Sequence, residues 1–217
     1  MKRKLIVSSI VFFTCFFSYE MLYSWGFFAH KRINRMAVFT LPPDMITFYK
    51  KHIDYLTEHA TDPDSRRNMV ADEAPRHYID LDHYGEHPFD SVPQFWKDAV
   101  KKFGEDSLKA YGIVPWHIDI MMRRLTDAFK QNNIDRILKI SAELGHYVAD
   151  SHVPLHTTEN YNGQLTGQRG IHGFWESRIP ELKAEDYDYF VGRAEYIESP
   201  IKRAWATVAV SFSEKDS

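Results

Sequence analysis

Two residue pairs with the same spacing constrain this chain most: His146 and Asp150 in the run HYVADSHVPLHTTEN, and His172 and Glu176 in GIHGFWE. Four residues advance an α-helix by about one turn, so each pair projects an imidazole and a carboxylate from one face. Groups held that way can share a cation. His156, two residues after Pro154, adds a further imidazole, and this set of side chains is what a multinuclear zinc site needs.

The remaining pattern is helical too. Apolar residues recur at Met45, Tyr49, Ile53 and Leu56, at Ile118, Met121, Leu125 and Phe129, and at Ile134, Leu138, Leu144 and Val148. No convincing alternating run of the strand type is present. The spacing predicts an all-α, bundle-like single domain whose candidate ligands sit at helix ends and on inward faces. Loops are expected at residues 41–43, across the polar span 61–75, and at residues 160–163 with Gly167 and Gly170 beyond. A last amphipathic stretch starts at Ser199-Pro200, a cap and first-turn pair, and places Ile201, Ala204, Val208 and Phe212 on roughly one face. It runs to Ser217 with no closing element, so the expectation includes a C-terminally incomplete domain.

The 217 residues suffice for one domain with a substantial core, and the apolar and charged fractions, 44% and 26%, are ordinary for a globular protein. The chain opens Met1-Lys2-Arg3-Lys4, continues apolar from Leu5 to Phe17, and turns more polar up to Ser24. That is the layout of a secretory signal peptide, and the apolar run is shorter than a membrane-spanning helix requires. We therefore expect a signal peptide over residues 1–24 and a mature domain over residues 25–217. This mature domain would be secreted or periplasmic, with no transmembrane anchor after cleavage. The only cysteine, Cys15, lies in the leader, so the exported chain has no disulfide. Phe13 and Thr14 argue against a lipoprotein anchor at that cysteine.

Charge says less about partners. With 27 basic and 30 acidic residues the formal net charge is -3, and losing Lys2, Arg3 and Lys4 with the leader makes the chain more acidic. A basic surface of the duplex-binding kind is not indicated, so no stable nucleic-acid partner is implied. The 11 histidines are unevenly spread, with His146, His152, His156 and His172 in one segment. A lone histidine is more often a core or surface residue with a satisfied hydrogen bond. Clustering, with carboxylates in register, reverses that reading, and zinc suits imidazole and carboxylate ligands in a thiol-free setting.

The run His146-Tyr147, Asp150, Pro154, His156 and Asn160, with His172 and Glu176, resembles the signature of the bacterial zinc-dependent phospholipases C and the related fungal single-strand-specific nucleases. These are helical trizinc phosphodiesterases. The chain departs from the phospholipase signature at Ala149 and Ser151, neither of which supplies a ligand. The resemblance implies three Zn2+ ions in a trinuclear cleft. One ion would be held by His77, His146, Asp150 and an aspartate upstream of His77. Asp64 is preferred over Asp62 for that place, because the nucleases carry an arginine three residues after this ligand and Arg67 stands there. A second ion would take His156, His172 and Glu176. The third would take the α-amine and carbonyl oxygen of Trp25, as the mature N-terminus, together with His30, with Asp150 bridging to the first.

Three such cations outweigh the carboxylates of Asp64, Asp150 and Glu176 and a bridging hydroxide, which favours an anionic phosphodiester substrate. The expected chemistry is in-line attack of the zinc-bridging hydroxide on phosphorus, with Arg67 or Arg66 neutralising developing charge. Asp150, Asp64 and Arg67 are the candidate catalytic residues. Tyr78 and Asp80 match positions that help bind the base in the nucleases, with packing and surface roles as equal alternatives. His152 is expected to be structural and His117 to start a helix, while His52, His59, His83 and His87 lie outside the site. Phe174 and Trp175 are expected in the core. Glu176, where the nucleases generally have aspartate, favours a phospholipase C-like activity; Trp175 and Arg67 favour the nuclease alternative. A secreted zinc-binding protein without turnover is the second alternative.

Overall fold

The computed structural model describes residues 26–216, so the expected signal peptide and Trp25 lie outside the described residues. The described residues are helical, with no β-strand among them. The chain runs through α1 (Phe27–Ala37), α2 (Pro43–Lys51), α3 (Ile53–Glu58), α4 (Asp62–Arg66), α5 (Pro88–Ser91) and α6 (Trp96–Phe103). It continues through α7 (Glu105–Ala110), α8 (Val114–Lys130), α9 (Ile134–Ser151), α10 (Ile171–Gly173), α11 (Ile179–Lys183) and α12 (Pro200–Ser213). Short 3-10 turns at Ala74–His77 and Pro154–His156 and a π-turn at Phe174–Arg178 complete the site-bearing segments.

Helices α8 and α9 form the central hairpin. The connection turns at Asn132, whose φ of 49° is the left-handed conformation that asparagine tolerates. Asn133 then caps α9 by accepting from the Arg136 amide at 3.0 Å. Helix α12 packs on α8, and α1 packs on α3 and α9. Trp96, Trp116 and Trp205 meet edge to face at 5.5 and 5.1 Å, the geometry aromatic quadrupoles prefer. The Trp205 indole donates to the Gln94 carbonyl at 3.0 Å, so this buried ring keeps its polar edge satisfied.

Several expectations shift in detail. The apolar stripe from Met45 to Leu56 is broken at His52 into α2 and α3. The span 61–75 is not loop throughout: Pro63 in a first turn that also holds Asp62 and Asp64 nucleates α4. On α9 the ends of the expected stripe, Ile134 and Val148, are exposed, as is Phe129 on α8. The inward face of α9 instead carries Ile137, Leu138, Glu143, Leu144, His146, Tyr147 and Asp150. Its last two turns serve the candidate site as well as the core. Ser199 occupies the cap position of α12, but its side chain makes no capping hydrogen bond.

Gly145 controls how closely α1 approaches α9. Asn34 of α1 is buried and donates to the carbonyls of Leu56 at 3.2 Å and Ala142 at 2.9 Å. A Cβ on Gly145 would lie 2.1 Å from the Asn34 side-chain oxygen. The same approach stacks His30 on His146, ring centroids 3.8 Å apart. Gly145→Ala should therefore destabilise the fold by about 1–3 kcal/mol through overpacking. Denaturant unfolding checks this, and an unchanged midpoint would mean that α1 shifts freely.

Candidate metal centre

Several chain segments converge on the inward face of α9 and the turn that follows it. Helix α9 presents His146 and Asp150 on one side, one turn apart, both fully buried. Residues 77–81 run alongside the turn after α9, where the Ile79 and Leu81 amides donate to the carbonyls of His156 and Thr157, each at 2.9 Å. That short ladder places His77 beside His156. Asp64 approaches from α4 and His30 from α1. The π-turn sets Glu176 inward, and the Gly26 amide donates to its carbonyl at 3.1 Å.

Among the described residues the result is three groups in which one ligand atom per residue lies within 4.8 Å of the others: His30, Asp64 and His146; His77, His146 and Asp150; and His156, His172 and Glu176. Asp150 is the hub. Its carboxylate oxygens lie 3.4 Å from His30 Nε2, 2.9 Å from His77 Nδ1, 3.3 Å from His146 Nε2 and 3.9 Å from His156 Nδ1. Glu176 faces His156 Nε2 at 3.1 Å with one oxygen and His172 Nε2 at 2.9 Å with the other.

The hydrogen bonds of these groups bear on whether they suit a cation. His146 Nδ1 lies 2.9 Å from the Ala60 carbonyl, His156 Nδ1 2.7 Å from that of His77, and His172 Nδ1 3.0 Å from that of Tyr161. A carbonyl only accepts, so each Nδ1 carries the hydrogen, and in a neutral ring Nε2 is a bare lone pair. Those lone pairs face carboxylate lone pairs. In addition, neither buried oxygen of Asp64 has a hydrogen-bond partner among the described residues, an expensive arrangement for an anion. A cation between the nitrogen and oxygen atoms removes both conflicts, and these buried clusters could hold metal ions.

Protons are the other way to relieve the conflict, and the titration behaviour follows. Burial works against the charged form of Asp150, but His146 and His156 hold its carboxyl well below the usual range. Burial likewise opposes Glu176, yet His156 and His172 bring it down to about 2. Burial would lower His156, but Glu176 and Asp150 raise it to about 9. His146 is raised in the same way, against its burial, by Asp150. His30 goes the other way: burial and then the neighbouring His146 lower it. Protonated imidazoles thus substitute for cations, and metal binding would displace protons.

Compared with known protein families, with curated proteins and with solved structures, the chain gives no match. The geometry alone therefore decides where each expected residue stands. His30, Asp64, His77, His146, Asp150, His156, His172 and Glu176 come together as described; Trp25 lies outside the described residues. Asp62 instead pairs with His59 at 2.7 Å on the surface, which leaves Asp64 as the aspartate that faces the histidines. His152 is exposed and bonds back to the Val148 carbonyl. His117 lies in the first turns of α8, buried against Tyr147, and burial first, then Arg76, lowers it to about 3.

Phe174 and Trp175 correct an expectation. They are 55% and 37% exposed rather than in the core, because the π-turn that aims Glu176 inward turns its two predecessors outward. Arg66 also differs from its expected catalytic alternative, since its guanidinium is bound by Glu73, Glu143 and Tyr147. Glu73 itself was not foreseen. It is fully buried, and although burial opposes its ionisation, the neighbouring His77 and hydrogen bonds from Arg66 and Tyr147 hold its carboxyl far below the ordinary range. The signal in the sequence was the Glu73-to-His77 spacing, the same four residues that separate His172 from Glu176.

A cavity of about 240 Å³ opens beside His156 and His172. Arg67, Ala74, Tyr78, Asp80, Leu155 and Tyr161 form the rest of its wall. Burial, reinforced by Asp82 and Glu159, pushes the Asp80 carboxyl up to about 7.

Proposed function

We propose that this chain is a zinc-dependent phosphodiester hydrolase. The observation that carries the reading is the set of buried carboxylates facing imidazole Nε2 atoms whose Nδ1 hydrogens are already committed, next to a cavity that contains Arg67. When bound, zinc supplies Lewis acidity toward a phosphoryl oxygen and lowers the pKa of water. The residues for three ions are His77, His146, Asp64 and Asp150 for one, His156, His172 and Glu176 for another, and His30 with Trp25 for the third. On this reading the chain acts after export and removal of residues 1–24.

The chain's own groups bind and orient the substrate. Arg67 offers a guanidinium to phosphoryl oxygens and offsets charge that develops there. Tyr78 and Tyr161 provide flat walls, and Asp80, once ionised, accepts hydrogen bonds from a substituent. Among the described residues, Leu155 and Ala74 are the aliphatic side chains that line the cavity. This wall suits a planar, hydrogen-bonding substituent better than an acyl chain, so single-stranded nucleic acid is the favoured substrate class. Glu176 favours the lipid alternative only through the resemblance.

Parallel assays of single-stranded DNA and phosphatidylcholine with zinc-loaded protein test the reading. DNA hydrolysis is expected, lost on chelation and restored by zinc. Turnover of phosphatidylcholine alone would assign the lipid instead. Tight zinc with no turnover of either, or of a chromogenic phosphodiester, would make this a binding protein.

A further inference from the structure

Behind His77, on the side away from Asp150, lies a buried carboxylate that the metal reading leaves unused. Glu73 Oε1 is 3.7 Å from His77 Nε2, a buried nitrogen that has no hydrogen-bond partner among the described residues and for which this carboxylate is the facing acceptor. Arg66 Nε donates to Glu73 Oε2 at 2.9 Å, Arg76 Nη1 donates to the same oxygen at 2.6 Å, and the Tyr147 hydroxyl donates to Oε1. Arg66 reaches on to Glu143 at 2.6 Å. These donors come from the ligand-bearing segments: Arg66 stands two residues after Asp64, Arg76 precedes His77, and Tyr147 follows His146.

His77 is also turned the opposite way from its neighbours. His146, His156 and His172 give Nδ1 to a backbone carbonyl and aim Nε2 at a carboxylate. His77 aims Nδ1 at Asp150, 2.9 Å away, with Asp64 at 3.7 Å, and leaves Nε2 toward Glu73. Something must hold the hydrogen on Nε2 if Nδ1 is to be a ligand.

We propose that Glu73 is the positioning residue of His77, accepting the Nε2 hydrogen so that the Nδ1 lone pair points between Asp64, His146 and Asp150. This rests on the metal reading above. A carboxylate on the distal nitrogen of a ligand histidine fixes the tautomer and ring orientation and raises the basicity of the ligating nitrogen. Two guanidiniums and a phenol anchor Glu73, so its oxygen cannot swing away from the ring. The same bonds tie together the segments carrying Asp64, His77 and His146, and loss of the carboxylate would loosen one site and spare the His156, His172 and Glu176 group.

The test is nitrogen NMR of the histidines in the zinc-loaded protein, together with zinc affinities of the wild type and Glu73→Gln. His77 should be the Nε2–H tautomer, opposite to His146, His156 and His172. In a variant with unchanged helical circular dichroism, one zinc equivalent should bind about 10–100-fold more weakly while another is unaffected. A His77 that is Nδ1–H overturns the proposal even if Glu73→Gln does not fold, and so do equal affinities in a folded variant. Either result with zinc bound to the wild type leaves the metal reading standing. A wild type that binds no zinc overturns both.

Discussion

Asp150→Asn should remove at least one equivalent of bound zinc per chain and lower phosphodiester hydrolysis by about 10³-fold or more, the loss expected when roughly 4 kcal/mol of metal-assisted stabilisation disappears. The reason is positional. Asp150 faces imidazoles from α1, the segment after α4, α9 itself and the turn beyond it. An amide keeps the shape but loses the negative charge that offsets a cation, and its NH2 group competes with metal for the nitrogen lone pairs. Elemental analysis of the purified variant and its hydrolysis rate measure the effect. Asp62→Asn is the matched control, because Asp62 is occupied by His59 outside the cluster; it should leave both quantities unchanged. Full zinc occupancy and a wild-type rate in Asp150→Asn would remove Asp150 from the centre.

The helical class and most of the convergent candidate ligands are legible from residue spacing, and the reason is geometric. An i, i+4 pair needs only one turn of helix to bring its members together, so His146 with Asp150 and His172 with Glu176 could be paired from sequence. The link between pairs is not in the spacing and came only from the resemblance. His77 reaches His156 through hydrogen bonds between segments about eighty residues apart, and His30 reaches His146 because Gly145 has no Cβ. Phe174 and Trp175 were misplaced because a π-turn changes the angular step just where Glu176 must face inward. Ile134 and Val148 were misplaced for a related reason: the buried polar residues Glu143, His146 and Asp150 compete with the purely apolar stripe for the inward side of α9. Glu73 was missed because its segment reads as a polar loop, and burial of that carboxylate depends on arginines from two directions.

Zinc should raise the thermal midpoint by about 10 °C or more, with a larger rise at pH 9 than at pH 6. A ligand at a thousandfold excess over its dissociation constant adds about 4 kcal/mol, and about 2–4 °C accompanies each kcal/mol in a chain of this size. The pH dependence comes from protons standing in for the metal. His156 in the metal-free fold is raised from 6.5 to about 9, so its contribution is fully present below pH 6.5 and is lost as pH rises through about 9. Glu176 is lowered from 4.5 to about 2, so its contribution is present above pH 4.5 and is lost only as pH falls toward about 2. Between pH 4.5 and 6.5 the metal-free pair is therefore held by its own charges, and zinc must displace protons to bind. Near pH 9 the His156 proton leaves, Glu176 and Asp150 face bare nitrogens in a buried site, and zinc binds without that competition. Differential scanning of metal-free and zinc-loaded protein at the two pH values gives the comparison. An equal zinc-induced rise at both would show that zinc binding displaces no proton from these imidazoles, and no rise at either would show that they and the carboxylates hold one another without a metal.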